Sequence, residues 1–320
     1  MSIFPLRLIP ATPNIDFMRL RLVWIGIVAV LALVALGAIV GKGFNYALDF
    51  TGGTVVELRF EQPADVDAVR GRLQAAGINA QVQTFGSGSD LLVRLQPRDG
   101  ETTSDANAET ARRVQDAAST TGNAATIQRS EFVGPQVGRE LAQNGVYAVL
   151  FVVLGFLIYI GFRFEWKFAI AAIITTLNDV LIVAGWFALS GREFDLTVLA
   201  GLLSTMGFSI NDTIVVFDRV RENFRGMRAD PRTILNTSIN QTLSRTIITS
   251  VAAFLTAFAL WLYGGGSLQG MAEATMIGIV FGTVSTIFVA CPLLTLGFLR
   301  VEKQDLMPKA RDEEALARRP

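Results

Sequence analysis

Residues 22–41 read LVWIGIVAVLALVALGAIVG, a stretch that contains no charged side chain. A transmembrane helix needs about 20 consecutive apolar residues to cross the hydrocarbon core of a bilayer. The stretch is too long for the apolar region of an ordinary signal peptide, and the Lys42-Gly43-Phe44 that follows is a poor cleavage site. It therefore predicts a permanent transmembrane helix.

Five further stretches of similar length and composition follow along the chain. They cover residues 143–162, 168–189, 195–217, 246–264 and 272–297. The chain of 320 residues is 51% hydrophobic and only 18% charged, whereas soluble domains carry about 25% charged residues. The sequence therefore predicts a polytopic α-helical membrane protein with six transmembrane helices.

Basic residues concentrate at one end of these helices. They are Arg7, Arg19, Arg21, Arg163, Lys167, Arg219, Arg221, Arg225, Arg228, Arg232, Arg300, Lys303, Lys309 and Arg311. Short loops rich in Lys and Arg stay in the cytoplasm. We therefore expect residues 1–21, the loop 218–245 and the tail 298–320 to be cytoplasmic, with a disordered tail after Leu306. Residues 42–142 then lie on the extracytoplasmic side.

The long segment 42–142 has the patterns of a folded domain. Alternating residues predict strands at 54–60, 78–85, 90–95 and 126–133, and helical spacing predicts helices at 64–76 and 105–121. The order β-α-β-β-α-β predicts a small α+β ferredoxin-like domain between the first two transmembrane helices. We expect a turn at 86–89 and a mobile loop at 100–107.

Composition also limits the chemistry. The chain has no histidine and a single cysteine, Cys291, which excludes a Ser-His-Asp triad, an internal disulfide and a thiolate metal cage. The 28 basic and 28 acidic residues balance, so no net field attracts nucleic acid. We therefore expect no enzyme activity, cofactor, metal or nucleic-acid partner.

Polar residues inside the apolar stretches are the candidates for function. Asp179 lies in the middle of the third stretch, and Asp212 lies in the fourth with Thr205 and Ser209 on the same helical face. A charge at the bilayer centre costs roughly 2.5–3.5 kcal/mol, so such residues face protein or water. Arg245 opens the fifth helix at a depth comparable with that of Asp212. We therefore predict an Asp212–Arg245 ion pair that proton arrival would weaken.

A simpler interpretation accounts for the same residues. Asp212, Asn211 and Asn178 could only form hydrogen bonds between helices, each worth about 0.6–2 kcal/mol. Glu273, at the outer end of the sixth helix, is interpreted as an interfacial residue. The segment Thr51-Gly52-Gly53-Thr54 lacks the spacing and the lysine of a phosphate loop and predicts a tight turn into the first strand.

Five short motifs follow one another along the chain. They are LDFTGGT at 48–54, VGP at 133–135 with Gly138, Glu140 and Leu141, RFEWK at 163–167, GFSINDTIVVFDR at 207–219 with REN at 221–223, and SRT at 244–246. In this order they resemble the SecD/SecF family, and the resemblance covers about residues 14–300. Asp49, Phe50, Gly52 and Gly53 resemble the family's Asp-Phe-x-Gly-Gly signature.

The resemblance implies one six-helix half of a resistance-nodulation-division unit in the bacterial inner membrane. It implies SecD as the partner that completes the unit, association with the Sec translocon channel and YajC, and use of the proton-motive force to promote preprotein translocation. The acidic residue of the fourth helix and the arginine of the fifth carry over to Asp212 and Arg245, with Asp179, Asn211, Ser209 and Thr205 as secondary candidates. Asn178 replaces an expected histidine, and Ala47 replaces an expected glycine.

Two other functions remain open at this point. A proton-coupled exporter of small molecules or lipids has the same architecture, although a domain of about 100 residues between the first two helices is small for that task. A passive scaffold subunit would use Asp212 only as a structural hydrogen-bonding group.

Overall fold

The computed structural model describes residues 13–85, 88–95 and 104–306. The helices are α1 Arg21–Lys42, α2 Leu48–Thr51, α3 Val66–Ala75, α4 Ser104–Ala118, α5 Pro135–Arg163, α6 Trp166–Ser190, α7 Leu196–Gly226, α8 Pro231–Tyr263, α9 Gly266–Ser285, α10 Cys291–Leu293 and α11 Lys303–Leu306. The strands are β1 Asn45–Tyr46, β2 Gly53–Phe60, β3 Ala80–Phe85, β4 Asp90–Leu95, β5 Ala125–Val133 and β6 Glu193–Phe194. A π-helical turn, Thr286–Ala290, joins α9 to α10, and a 3-10 turn covers Gly297–Leu299.

The chain divides into two compact units. One unit consists of residues 1–45 and 149–320, and the other consists of residues 46–148. Six helices in the described part of the chain are long and apolar enough to span a membrane. They are Arg21–Lys42, Gln136–Arg163, Trp166–Ser190, Leu196–Gly226, Pro231–Tyr263 and Leu268–Leu293. The predicted number of spans is confirmed.

Four of these helices have bounds that differ by several residues from those of the predicted spans. The predicted loop 218–245 is wrong as a loop, because α7 continues to Gly226 and α8 begins at Pro231. The short connection is stable because the carboxylate of Asp230 accepts the backbone N–H of Thr233, which caps α8. Hydrogen bonds from Thr233 hold the pKa of Asp230 below its ordinary value. Helix α5 begins at Pro135, before the predicted 143.

The end of the sixth span also differs from the prediction. The predicted span continued to 297, but regular helix stops at Leu293. The π-helical turn and Pro292 precede this stop, and a proline inside a helix removes one backbone hydrogen bond. Residues 294–299 turn back through short 3-10-type contacts.

The unit 46–148 is built on a four-stranded antiparallel sheet. The strands lie in the order β3-β4-β2-β5, and Leu58 pairs with Leu91 at the centre. Every second residue of β2 faces the core, and Val69 of α3 and Val114 of α4 close that core from one side. The predicted element order is therefore observed.

Parts of the loop predictions can be compared with this unit. Helix α4 starts at Ser104, so the prediction of a mobile loop is wrong for residues 104–107. Residues 100–103 of that loop, residues 86–87 of the predicted turn and the tail after Leu306 lie outside the described residues.

Helix α7 is the centre of the other unit. It packs against α6, α8 and α9, while α1 packs against α6. At the arginine-rich end, the rings of Phe168 and Phe217 meet edge to face at 5.2 Å between their centroids. These two side chains are fully buried and anchor the largest apolar cluster of this unit.

The segment before α1 is fastened to α8 by two asparagines. Asn240 accepts the backbone N–H of Ile15 and donates to its carbonyl, at 2.9 and 2.8 Å. Asn236 accepts the backbone N–H of Phe17 at 2.8 Å. Phe17 is buried against the ring of Phe288 in the π-helical turn. The segment therefore belongs to the folded unit.

We predict that Gly185→Ala disrupts the contact between α1 and α6. A methyl group on Gly185 would lie 2.3 Å from the Cβ of Ala35, well inside van der Waals contact. Overpacking of this kind costs about 1–3 kcal/mol. Thermal unfolding in detergent should show a lower midpoint for Gly185→Ala. The control Gly37→Ala, where a methyl group meets nothing within 4 Å, should keep the midpoint; equal midpoints for both variants would contradict this packing.

Candidate functional site

A carboxylate lies fully buried between three helices. Asp179 of α6 accepts hydrogen bonds at Oδ2 from Ser209 of α7, at 2.6 Å, and from Ser285 of α9, at 2.8 Å. Its Oδ1 has no hydrogen-bond partner among the described residues. A buried polar group without a partner is costly, so this carboxylate constrains the helices around it.

The hydroxyl protons around Asp179 can be assigned from the donor count. A serine hydroxyl carries one proton, and that of Ser209 points to Asp179. The contact of 3.5 Å between Thr176 and Ser209 therefore has Thr176 as its donor. One lone pair of the Ser209 oxygen remains for a further donor.

A second carboxylate lies on the other side of α7. Asp212 is half-buried and accepts a hydrogen bond from Ser250 of α8 at 3.2 Å. Thr283 of α9 donates to Ser250 at 2.7 Å. Asp212 therefore ends a chain of hydroxyl groups that connects α7, α8 and α9.

These groups line a cavity of about 120 Å³ between α7, α8 and α9. Its lining residues are Phe208, Ser209, Asn211, Asp212, Thr249, Ser250, Ala253, Gly278, Ile279, Gly282 and Thr283. Ser209 thus faces this cavity and at the same time donates to Asp179. Ser209 therefore lies between the two candidate carboxylates, with Asp179 on one side and the cavity that Asp212 lines on the other.

The predicted Asp212–Arg245 ion pair does not form within 4.0 Å between these two described residues. Asp212 contacts Ser250 instead, and Ser250 lies five residues after Arg245 on α8. Five residues correspond to about 7.5 Å along a helix, so the guanidinium starts well away from the level of Asp212. Arg245 is exposed but exerts a Coulomb attraction on Asp212 over the longer distance.

The secondary candidates fall into different places. Ser209 and Asn211 line the cavity, whereas Thr205 does not. Thr205 donates to the carbonyl of Gly201 in its own helix and packs tightly against Gly278 of α9. Thr205 lies two turns before Asp212 on α7, as predicted from the helical spacing, but helix α9 covers it and separates it from the cavity.

Glu273, interpreted from the sequence as an interfacial residue, is buried against protein near the end of α6. Its carboxylate accepts from the indole N–H of Trp186 at 2.8 Å and forms an ion pair with Arg192. It joins α9 to the end of α6 and to the turn that follows. Arg192, the single basic residue of the connection between α6 and α7, was the available sequence signal, but Glu273 is too distant in sequence for a local pattern to show the pairing.

The glycines of the motif at 48–54 have a conformational explanation. Gly52 has φ 67° and Gly53 has φ 119°, values that side-chain-bearing residues rarely adopt. Asp49 and Phe50 lie in the single turn of α2 just before them. The predicted tight turn into the first strand is observed. Ala47, where a glycine was expected, is extended with φ −70° and carries no strain.

Another glycine allows a close approach to this turn. A methyl group on Gly138 of α5 would lie 3.0 Å from the backbone nitrogen of Gly52. The motif therefore combines two unusual backbone conformations with a tight helix contact. Among the described residues, no cluster of three or more acidic or cysteine side chains could hold a metal ion.

Two family models match the chain. One describes the C-terminal region of the protein export membrane proteins SecD and SecF and matches residues 113–298. The other describes the SecD/SecF GG motif and matches residues 37–64. The second match contains the turn formed by Gly52 and Gly53.

Curated proteins similar to the chain include SecF subunits from two bacteria. The chain is 46% identical over 302 residues to a protein translocase subunit SecF of Pseudomonas aeruginosa, covering 93% of this chain and 96% of that protein. It is 44% identical over 288 residues to a SecF of Escherichia coli O157:H7, covering 89% and 88%.

A solved structure shares the architecture. The crystal structure of SecDF, a translocon-associated membrane protein from Thermus thermophilus, is 38% identical, with a TM-score of 0.79. The match covers 91% of this chain but 39% of the SecDF chain. A SecDF structure in a super-membrane-facing form is matched over the same shares with a TM-score of 0.64.

We predict that Gly52→Ala loosens strand β2. The conformation of Gly52, with ψ 173°, is essentially restricted to glycine, and forcing alanine into such a region costs about 1–3 kcal/mol. Hydrogen exchange of residues 53–60 in the intact membrane protein should become faster. The control Gly71→Ala lies in helix α3 with open space around it and should leave this exchange unchanged; unchanged exchange in Gly52→Ala would refute the conformational explanation.

Proposed function

The chain belongs to the SecD/SecF family of protein export membrane proteins, and from this premise we propose that it is an auxiliary subunit of the Sec protein translocase that uses the proton-motive force. The high identity over nearly whole SecF proteins supports the subunit role. In this function the chain promotes preprotein translocation across the bacterial inner membrane.

The proposed partner is a SecD-type subunit. The chain matches 39% of the SecDF chain that it resembles, and we propose that a SecD-type subunit corresponds to the remainder of that chain. We propose that the Sec translocon channel, YajC and the translocating preprotein are further partners. The proposed reaction cycle requires proton transfer and conformational change, without a bound cofactor.

The proposed orientation follows the arginine-rich ends of the helices. The turn between α5 and α6 and the turn between α7 and α8 both carry arginines, and such short basic connections stay in the cytoplasm. Ion pairs fasten this end, because Arg163 contacts Asp218 and Arg221 contacts Glu165. Both chain termini are proposed to be cytoplasmic, and the unit 46–148 is proposed to be extracytoplasmic.

Asp212 is the proposed site of proton binding. The single observation that carries this proposal is its position at the cavity, half-buried and hydrogen-bonded to Ser250 without a cation within 4.0 Å among the described residues. A carboxylate locked in a close ion pair resists protonation, whereas one that contacts a hydroxyl group and a polar cavity can exchange a proton.

The hydroxyl groups beside Asp212 can serve both of its protonation states. When Asp212 is ionised, Ser250 donates to Asp212 and Thr283 donates to Ser250. When Asp212 is protonated, it can donate to Ser250, and Ser250 can donate to Thr283. Thr283 can then donate to the carbonyl of Ile279, which lies 2.7 Å away. Every hydroxyl proton then still has an acceptor. Proton binding at Asp212 therefore leaves no hydroxyl proton of Ser250 or Thr283 without an acceptor.

The proton gradient supplies energy on the required scale. One elementary charge that crosses the membrane potential gains about 2.3 kcal/mol per 100 mV. Protonation of Asp212 would also remove its attraction to Arg245 on the neighbouring helix. A change of this size is sufficient to bias an equilibrium between two helix arrangements.

We predict that Asp212→Asn abolishes the gradient-dependent part of preprotein translocation. The amide keeps the shape and the hydrogen-bonding capacity of the side chain but does not titrate. The measurement is translocation of a model preprotein into inverted membrane vesicles, with and without an imposed proton gradient. Translocation without the gradient should stay at the wild-type level.

Glu222→Gln is the matched control for this experiment. Glu222 lies on the same helix, but it is exposed and pairs with Arg219, three residues away. Its stimulation by the gradient should match that of the wild type. Full stimulation in Asp212→Asn, with normal assembly, would reject Asp212 as the proton site and favour the scaffold function.

A further inference from the structure

A single hydroxyl group, that of Ser209, lies between the cavity beside Asp212 and the carboxylate of Asp179. Asp212 and Ser209 both line the cavity, and they are three residues apart on α7, so they are neighbours on one face of that helix. Ser209 is almost fully buried, and its proton is donated to Asp179. The geometry therefore places a single side chain between the cavity and the buried carboxylate.

The cavity is suited to water. Its volume of about 120 Å³ has room for several water molecules, each of which occupies about 30 Å³ of liquid water. Hydroxyl, amide and carboxylate groups from α7, α8 and α9 line it, which provides the two to four polar partners that a buried water needs. Asp212 is the only charged side chain among its described lining residues.

We propose that this cavity holds a water chain through which Ser209 passes a proton between Asp212 and Asp179, so that Asp179 is a second proton site. This inference rests on the proposed role of Asp212. Asp179 has the capacity for the proton, because it is a fully buried carboxylate and protonation removes a charge that is costly to bury. Ser209 has the capacity for the transfer, because one of its lone pairs is left for a water on the cavity side.

The transfer balances without any other reactant. Protonated Asp212 gives its proton to a cavity water, and the water chain delivers a proton to the oxygen of Ser209. Ser209 releases its own hydroxyl proton to Oδ2 of Asp179. Asp212 ends as a carboxylate and Asp179 as a carboxylic acid, while Ser209 and the water are restored.

Ser285 provides a control inside the same network. It donates to the same oxygen of Asp179 at 2.8 Å, but it does not line the cavity. If Ser209 only holds Asp179 in place, then Ser209→Ala and Ser285→Ala should have similar effects. If Ser209 transfers the proton, then only Ser209→Ala breaks the path.

The test is gradient-driven translocation of a model preprotein by the intact complex. We expect Ser209→Ala to lose the gradient-dependent stimulation, Ser209→Thr to restore it, and Ser285→Ala to lose clearly less of it than Ser209→Ala. Ser204→Ala should retain it, because Ser204 is exposed on the same helix and donates to the carbonyl of Ala200 within that helix. Equal losses in Ser209→Ala and Ser285→Ala, or no loss in Ser209→Ala, would overturn the inference.

The outcomes also separate this inference from the proposed function. Loss in Asp212→Asn with wild-type behaviour of Ser209→Ala would overturn the path but leave Asp212 as the proton site. If Ser209→Ala does not assemble, infrared difference spectra decide. We expect acidification to produce a carboxylic acid band that is missing from Asp179→Asn; a spectrum identical to that of the wild type would overturn the proposal.

Discussion

The hydrogen bonds from Ser209 and Ser285 to the carboxylate of Asp179 join the three helices on which the rest of the membrane unit depends. In an apolar environment, a carboxylate without partners is costly, and the helices that supply the partners have to stay close to it. Small residues make this closeness possible. A methyl group on Gly278 of α9 would overlap the side chain of Thr205 on α7.

Helix α7 distributes this constraint through the unit. Ser209 on one side meets α6 and α9, and Asp212, less than one turn further, meets α8. Thr213 contacts Thr286 at the start of the π-helical turn, at 3.2 Å, and Phe288 in that turn packs against Phe17 before α1. A continuous series of packed contacts therefore connects the two carboxylates with the arginine-rich end of the helices. π-helical turns often occur at functional sites.

Much of this architecture could be predicted from the amino-acid sequence. The thickness of the bilayer sets the length of an apolar helix that can cross it, about 20 residues, so all six spans were predictable. The alternating residues of β2 indicated a half-buried strand in the same way. The extensions of α7 and α8 beyond their predicted spans were missed because their residues are polar and lie outside the apolar runs. There the Asp230 cap, rather than contact with lipid, stabilises the helix.

The site was harder to predict than the fold. Asp212 and Arg245 were correctly placed on neighbouring helices. The sequence did not show that Asp212 lies beside Ser250 of α8, five residues after Arg245, and this offset separates the two charged side chains. Thr205 and Ser209 are four residues apart, yet α9 covers one and the cavity exposes the other. The Glu273–Arg192 pair depends on contacts between distant segments, which no local pattern reports.

In the proposed function, Asp212 takes up a proton from the gradient. This uptake can be followed with a pH-sensitive dye in proteoliposomes that contain the chain and its SecD-type partner, under an imposed membrane potential. We expect potential-driven proton movement in the wild type and its loss in Asp212→Asn. Equal proton movement in both proteins would exclude Asp212 as the proton site.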